Sequence, residues 1–107
     1  MVDRKQMAID FAKSLNHPEI EKIILFGSVA RGEDTKDSDI DILIITKNND
    51  DDLKIRDDIY SKTWDIRLDT MVRVSVKMRS IEHYENYKDF PFYSNVEKDG
   101  VLIGLIG

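Results

Sequence analysis

The 107-residue sequence contains no cysteine, so disulfides, thiolate metal sites and cysteine nucleophiles are excluded. Histidine occurs twice, at His17 and His83, too few for a metal centre built from several imidazoles. No apolar run approaches the roughly 18 residues that a membrane helix requires. Met1 to Asp10 carries charge where a signal peptide would be apolar, and a cytoplasmic protein with no membrane attachment is expected. Positive charge is also scarce: 16 Lys and Arg stand against 21 Asp and Glu, a formal net charge of -5. Affinity for nucleic-acid phosphates needs clustered positive charge, so stable nucleic-acid binding is not expected. A phosphate ligand that arrives with a metal cation is still allowed.

What is present suits a folded domain. Hydrophobic residues make up 41% of the chain and charged residues 35%, and one domain spanning residues 1–107 is expected. The acids are unevenly placed. Residues 33–41, EDTKDSDID, hold five acids and one lysine in nine positions.

Periodicity predicts a helix over Asp3 to Leu15, where Ala8, Phe11, Ala12 and Leu15 form one stripe and Asn16-His17-Pro18 breaks it. Ile23 to Phe26 reads as a buried strand that stops at Gly27. A short helix can open at Ser28 and close at Gly32. Asp39 to Thr46 is a second strand, rich in β-branched residues. Asn48 to Asp50 reads as a turn, and Asp50 to Asp52 favour the start of the next helix through its dipole. That helix is expected over Leu53 to Trp64, with Tyr60 and Trp64 in a core or an interface. Residues 67–78 alternate and are expected to form a half-buried strand with Asp69, Arg73 and Lys77 on its polar face. Short helices over Ser80 to Lys88 and Phe92 to Lys98 and a last strand over Val101 to Ile106 complete an α/β or α+β pattern on one small sheet.

The acidic cluster has four readings. A solvated loop accounts for Glu33, Asp34 and Asp37. It accounts poorly for Asp39 and Asp41, which flank Ile40 at the start of an apolar strand. Residues i and i+2 of a strand share a face about 6.6 Å apart, so Ile40, Ile42 and Ile44 turn inward together and the two aspartates turn away together. At an effective dielectric of about 20 their carboxylates repel by roughly 2–3 kcal/mol. A divalent cation converts that repulsion into attraction. A calcium loop starting at Asp37 fails, with Ile42 where glycine is needed and Asn48 where glutamate is needed. A P-loop over Gly27 to Gly32 fails because Glu33-Asp34 follow where Lys and Ser/Thr are required. The fourth reading joins the turn to the aspartates. Gly27 lets backbone approach a ligand, Ser28 offers a hydroxyl and an N–H at a helix start, and Asp39 and Asp41 supply hard oxygen donors. Mg²⁺ prefers one or two carboxylates together with phosphate oxygens.

GSVARGEDTKDSDIDILI, residues 27–44, resembles the signature of the polymerase-beta-like nucleotidyltransferase superfamily: G-S followed about ten residues later by D-x-D. Ala30-Arg31-Gly32 and the short length point to its minimal nucleotidyltransferase branch, and PFYSNVEKDGVLI near the end is similar to the C-terminal part of small members. The resemblance implies a small mixed β-sheet with helices packed on one face and the active site on the other. It implies transfer of a nucleoside monophosphate from ATP or another nucleoside triphosphate to a hydroxyl. Gly27 and Ser28 would hold the triphosphate, and Asp39 and Asp41 would coordinate two Mg²⁺ ions. Arg31 either reaches a phosphate or closes the short helix, with phosphate contact favoured. Active members usually carry a third carboxylate on a neighbouring strand; Asp69 is the first candidate for catalysis and metal binding, and Asp65 the second. The family habit implies a HEPN-domain partner, with this chain as the antitoxin of a toxin–antitoxin pair and tyrosine as the acceptor. If the third acid is absent, the alternative is a weak or inactive module that neutralises a partner by contact. Transfer to a small molecule is disfavoured in a chain without an added substrate domain. His17, His83 and Lys36 are expected to be structural or solvated, and Phe90, Phe92 and Tyr93 to pack together.

Overall fold

The computed structural model describes residues 3–47 and 53–105. The elements run α1 (Arg4–Ser14), β1 (Ile20–Phe26), α2 (Gly27–Arg31), β2 (Ile40–Thr46), α3 (Leu53–Thr70), β3 (Val74–Ser80), α4 (Ile81–Tyr87), α5 (Pro91–Asp99) and β4 (Val101–Leu105). The turn expected over Asn48 to Asp50 and the acidic start at Asp50 to Asp52 lie outside the described residues. Among the described residues, no helix is long and apolar enough to cross a membrane.

The strands form one mixed sheet in the order β3-β2-β1-β4. β1 pairs antiparallel with β2 and with β4. β2 pairs parallel with β3, a connection that needs a crossover, which α3 supplies. β2 is apolar on both faces because both are covered. On one face Ile40, Ile42 and Ile44 pack with Ile23, Leu25, the α1 residues Ala8, Phe11 and Ala12, and Ile55 and Ile59 of α3. On the other, Leu43 and Ile45 pack with Tyr93 and Val96 of α5. Helices therefore lie on the expected face through α1 and α3, while α4 and α5 also cover part of the opposite face. There Phe92 meets Phe26 edge-on at 5.7 Å and Tyr93 at 5.3 Å.

Local chemistry sets the boundaries. Asp3 caps α1, its Oδ1 accepting from the Gln6 N–H at 3.0 Å, and Ser80 caps α4, its Oγ accepting from the His83 N–H at 3.1 Å. Gly32 closes α2 in the left-handed conformation, φ 72°. The loop that follows is held by a cation from α1. Arg4, only 8% exposed, donates from Nε to the Ser38 carbonyl at 3.0 Å and from Nη2 to the Lys36 carbonyl at 2.6 Å.

The strand expected over residues 67–78 is not formed as such. The chain stays helical to Thr70, and β3 begins at Val74. The extra helical turn keeps Ile66 packed against the core beside Ile55 and Ile59, at a 3.6-residue period that outweighs the local alternation. The Thr70 hydroxyl then donates to the Ile66 carbonyl at 2.7 Å and the Met71 N–H to the Arg67 carbonyl at 2.9 Å.

Candidate active site

β1 runs into the site and β2 runs out of it. Their antiparallel register sets Phe26 opposite Asp41, so the residues that follow Phe26 turn over the Asp41 side chain. Gly27 makes that turn with φ 78°. A side-chain carbon there would lie 2.4 Å from Asp41 Oδ2, and so the position needs glycine on conformational and steric grounds alike. Ser28 follows in the first turn of α2.

Asp39 and Asp41 are both half-buried. Among the described residues neither carboxylate accepts a hydrogen bond or pairs with a cation. Burial pushes the Asp41 carboxyl up from its ordinary value of 3.8, and the Asp39 charge adds to the rise, while Lys77 and Arg31 pull it back. Two half-buried carboxylates without hydrogen-bond partners, one under an open glycine turn, fit a hard divalent cation accompanied by phosphate.

Of the remaining sequence candidates, Arg31 stands at the end of α2 and is committed to acids. Its Nε pairs with Glu33 at 3.2 Å and its Nη1 with Asp99 at 3.4 Å. Asp69 and Asp65 are corrected. Both lie on α3 rather than on a strand, and both line a groove of about 380 Å³ between α1 and α3, shared with Met7, Asp10 and Lys62. The structure does not bring them to Asp39 and Asp41. Among the described residues no group of three or more His, Cys, Asp or Glu is arranged to hold a metal.

The parallel register shows what stands beside Asp41 instead. Ser75 is its partner on β3, and Lys77 is the next residue on that face, opposite Leu43. The Lys77 Nζ sits 5.8 Å from the centre of the Phe92 ring. Lys77 is on the polar face of the expected strand, but its place and that of Ser75 beside Asp41 are not legible in the sequence, because they depend on where β3 starts and how it pairs. The Arg4 clamp also escaped the sequence reading, although a cation in the first turn of a helix opposes the dipole and signals another role. His17 and His83 are structural, as expected: His17 Nε2 meets Asp58 Oδ2 at 2.7 Å and His83 Nδ1 meets the Tyr93 hydroxyl at 2.7 Å.

A mixed sheet that sets a glycine-serine turn over an aspartate pair defines a nucleotidyltransferase domain. Residues 9–103 match the family described as polymerase beta, nucleotidyltransferase. The chain belongs to that family. A Methanocaldococcus jannaschii protein named "Putative protein adenylyltransferase" is 36% identical over 95 residues, 89% of each chain. A chain of a toxin–antitoxin complex crystallised with AMP-PNP superposes with a TM-score of 0.60 at 18% identity, covering 96% of this chain and 73% of that one. A chain of the complex of a tri-AMPylated Shewanella oneidensis HEPN toxin with its MNT antitoxin superposes with a TM-score of 0.52 at 17% identity, covering 95% and 69%. At those identities the structural matches speak for the fold.

Proposed function

We propose that this nucleotidyltransferase transfers AMP from ATP to a hydroxyl on a HEPN-type partner protein, and that it serves as the antitoxin of the pair. In this reading residues 1–107 act as one cytoplasmic domain. The observation that carries it is the turn at Gly27 set over Asp41, one of two half-buried carboxylates that have no hydrogen-bond partner among the described residues. The likeness to an adenylyltransferase-named relative supports AMP as the group transferred. The fold shared with chains of toxin–antitoxin complexes supports a protein acceptor.

Gly27 lets the backbone turn close over the Asp41 carboxylate, and Ser28 can donate its N–H and hydroxyl to phosphate oxygens. Asp39 and Asp41 would hold Mg²⁺, which neutralises triphosphate charge and lowers the pKa of the acceptor hydroxyl. Arg31 reaches a phosphate by exchanging Glu33 and Asp99 for it. In the transfer, the acceptor oxygen bonds to the α-phosphorus and the bond from that phosphorus to the bridging oxygen breaks. Pyrophosphate leaves with the electron pair, and the hydroxyl proton passes to solvent.

A second reading, neutralisation by contact without catalysis, is favoured by one observation: Ser75 and Lys77, not an acid, stand beside Asp41 on β3. The two readings separate in one experiment. Label from the α-phosphate of ATP is expected to pass to a co-expressed HEPN protein, and Asp39→Asn is expected to abolish transfer while the fold is kept. Full labelling by that variant would sink the assignment. A wild-type chain that neutralises the partner without binding Mg-ATP would establish the contact reading.

A further inference from the structure

We propose that the outward face of α3 docks an amphipathic helix of the acceptor protein, one whose apolar stripe is edged with carboxylates on the side that meets Arg67 and Arg73, and so holds that protein beside Asp39 and Asp41. The acceptor role of the partner rests on the proposed transfer; the surface itself does not.

α3 is apolar on two opposite sides. Ile55, Ile59 and Ile66 face the core. On the far side Tyr60, Trp64 and Leu68 are 72%, 54% and 63% exposed, and Met71 just beyond the helix is 77% exposed. Their spacing of four, four and three residues makes one continuous stripe. A helix that needs only one apolar face for its own fold carries the second for something that covers it.

Met71 supplies independent support. It holds φ 64°, the only positive-φ non-glycine residue among those described. Helix ends of this kind normally use glycine or asparagine. Here a bulky residue bears the strain, and its side chain extends the stripe. An outlier of this sort points to a function rather than to folding.

The chemistry of the occupant follows from the groove beside the stripe. It holds about 470 Å³, is floored by Trp64, Leu68 and Met71, and is walled by Arg67 and Arg73. Neither arginine is ion-paired among the described residues, so the complementary surface offers carboxylates. A second copy of this chain suits the face badly in antiparallel pairing. Arg67 flanks the stripe on one side, Asp57 and Asp65 on the other. Antiparallel pairing of two copies would set each flank against itself, like charge on like charge.

The groove also adjoins the active site. The carbonyl of Arg73 accepts from the Ile40 N–H at 2.9 Å, between the two aspartates in sequence, and among the described residues β3 is an edge strand with no neighbour beyond it. An occupant is thereby placed at the end of the sheet where Asp39 and Asp41 emerge.

The test is calorimetric titration with the HEPN-domain protein of the same genome, with Mg-ATP binding measured in parallel. Leu68→Glu and Arg67→Glu are expected to weaken partner binding at least tenfold and to leave Mg-ATP binding unchanged. Met71→Gly is expected to raise the melting temperature of the free chain and yet weaken partner binding severalfold, a combination that a purely structural role does not produce. Added salt should weaken the wild-type complex more than the Arg67→Glu complex. Equal partner binding by all three variants overturns the docking surface, and AMP transfer by the wild-type chain would still uphold the proposed function. Partner binding that the variants weaken, with no transfer at all, overturns the proposed function and supports the docking surface. A wild-type dimer that Leu68→Glu converts to monomer assigns the face to a second copy and overturns the proposal, as does a HEPN protein that fails to bind the wild-type chain.

Discussion

The Asp41 carboxylate fills the space that any side chain on residue 27 would occupy: a carbon added to Gly27 would stand 2.4 Å from Asp41 Oδ2. Gly27→Ala therefore meets two penalties, the steric clash and the positive φ of 78°. The conformational part alone costs about 1–2 kcal/mol, and relief of the clash has to shift either the turn or the Asp41 carboxylate. The variant is expected to melt several degrees lower and to lose Mg-ATP binding. Wild-type affinity in Gly27→Ala, measured by titration, would show that the turn does not shape the site.

Asp41 makes a stability prediction opposite to that of an ordinary surface acid. Its pKa is raised by burial and by Asp39, so the fold favours the protonated form. The cost of ionising it is full above the raised pKa, shrinks as the pH falls toward 3.8, and vanishes below that value. Asp41→Asn removes the cost. It is expected to raise the melting temperature at pH 7, to lose that advantage in acid, and to lose AMP transfer. Thermal melts across this range decide it; a variant less stable than wild type at pH 7 refutes the account.

Asp58 behaves in the opposite way. Lys62 donates to its Oδ1 at 2.6 Å and His17 Nε2 meets its Oδ2 at 2.7 Å, tying the loop after α1 to α3. Its pKa is lowered, first by the hydrogen bond from Lys62 and then, against the opposing effect of burial, by His17. The resulting stability is complete above 3.8 and is lost as the pH falls through the lowered value. Asp58→Asn is expected to cost about 1 kcal/mol near neutrality and nothing in strong acid, with Mg-ATP binding unchanged. Denaturant titrations at the two pH values measure this difference directly.

The part of the site legible in the sequence is the part with a local cause. Gly27 ends an apolar run, and Asp39 and Asp41 share one side of a strand by period alone, so the turn and the aspartate pair could be read before any fold was known. The boundary between α3 and β3 could not. Leu68, Thr70 and Val72 alternate as a strand would, while Ile55, Ile59 and Ile66 repeat as a helix does, and only burial of Ile66 decides between them. Asp69 was misplaced with that boundary. Ser75 and Lys77 stand beside Asp41 through pairing across more than thirty residues, which no short-range pattern encodes. Tyr60 and Trp64 were open to a core or an interface, and their exposure removes the core.

The loop that leads into the aspartate pair is gripped by its main chain. Arg4 binds the carbonyls of Lys36 and Ser38, atoms that every amino acid supplies. Substitution at Asp34 or Asp37 can therefore proceed without shifting Asp39, and these two positions are free to drift in charge and identity over evolutionary time. The constraint falls on a single arginine thirty-five residues upstream of Asp39, at the opening of a helix that contributes no residue to the turn or to the aspartate pair.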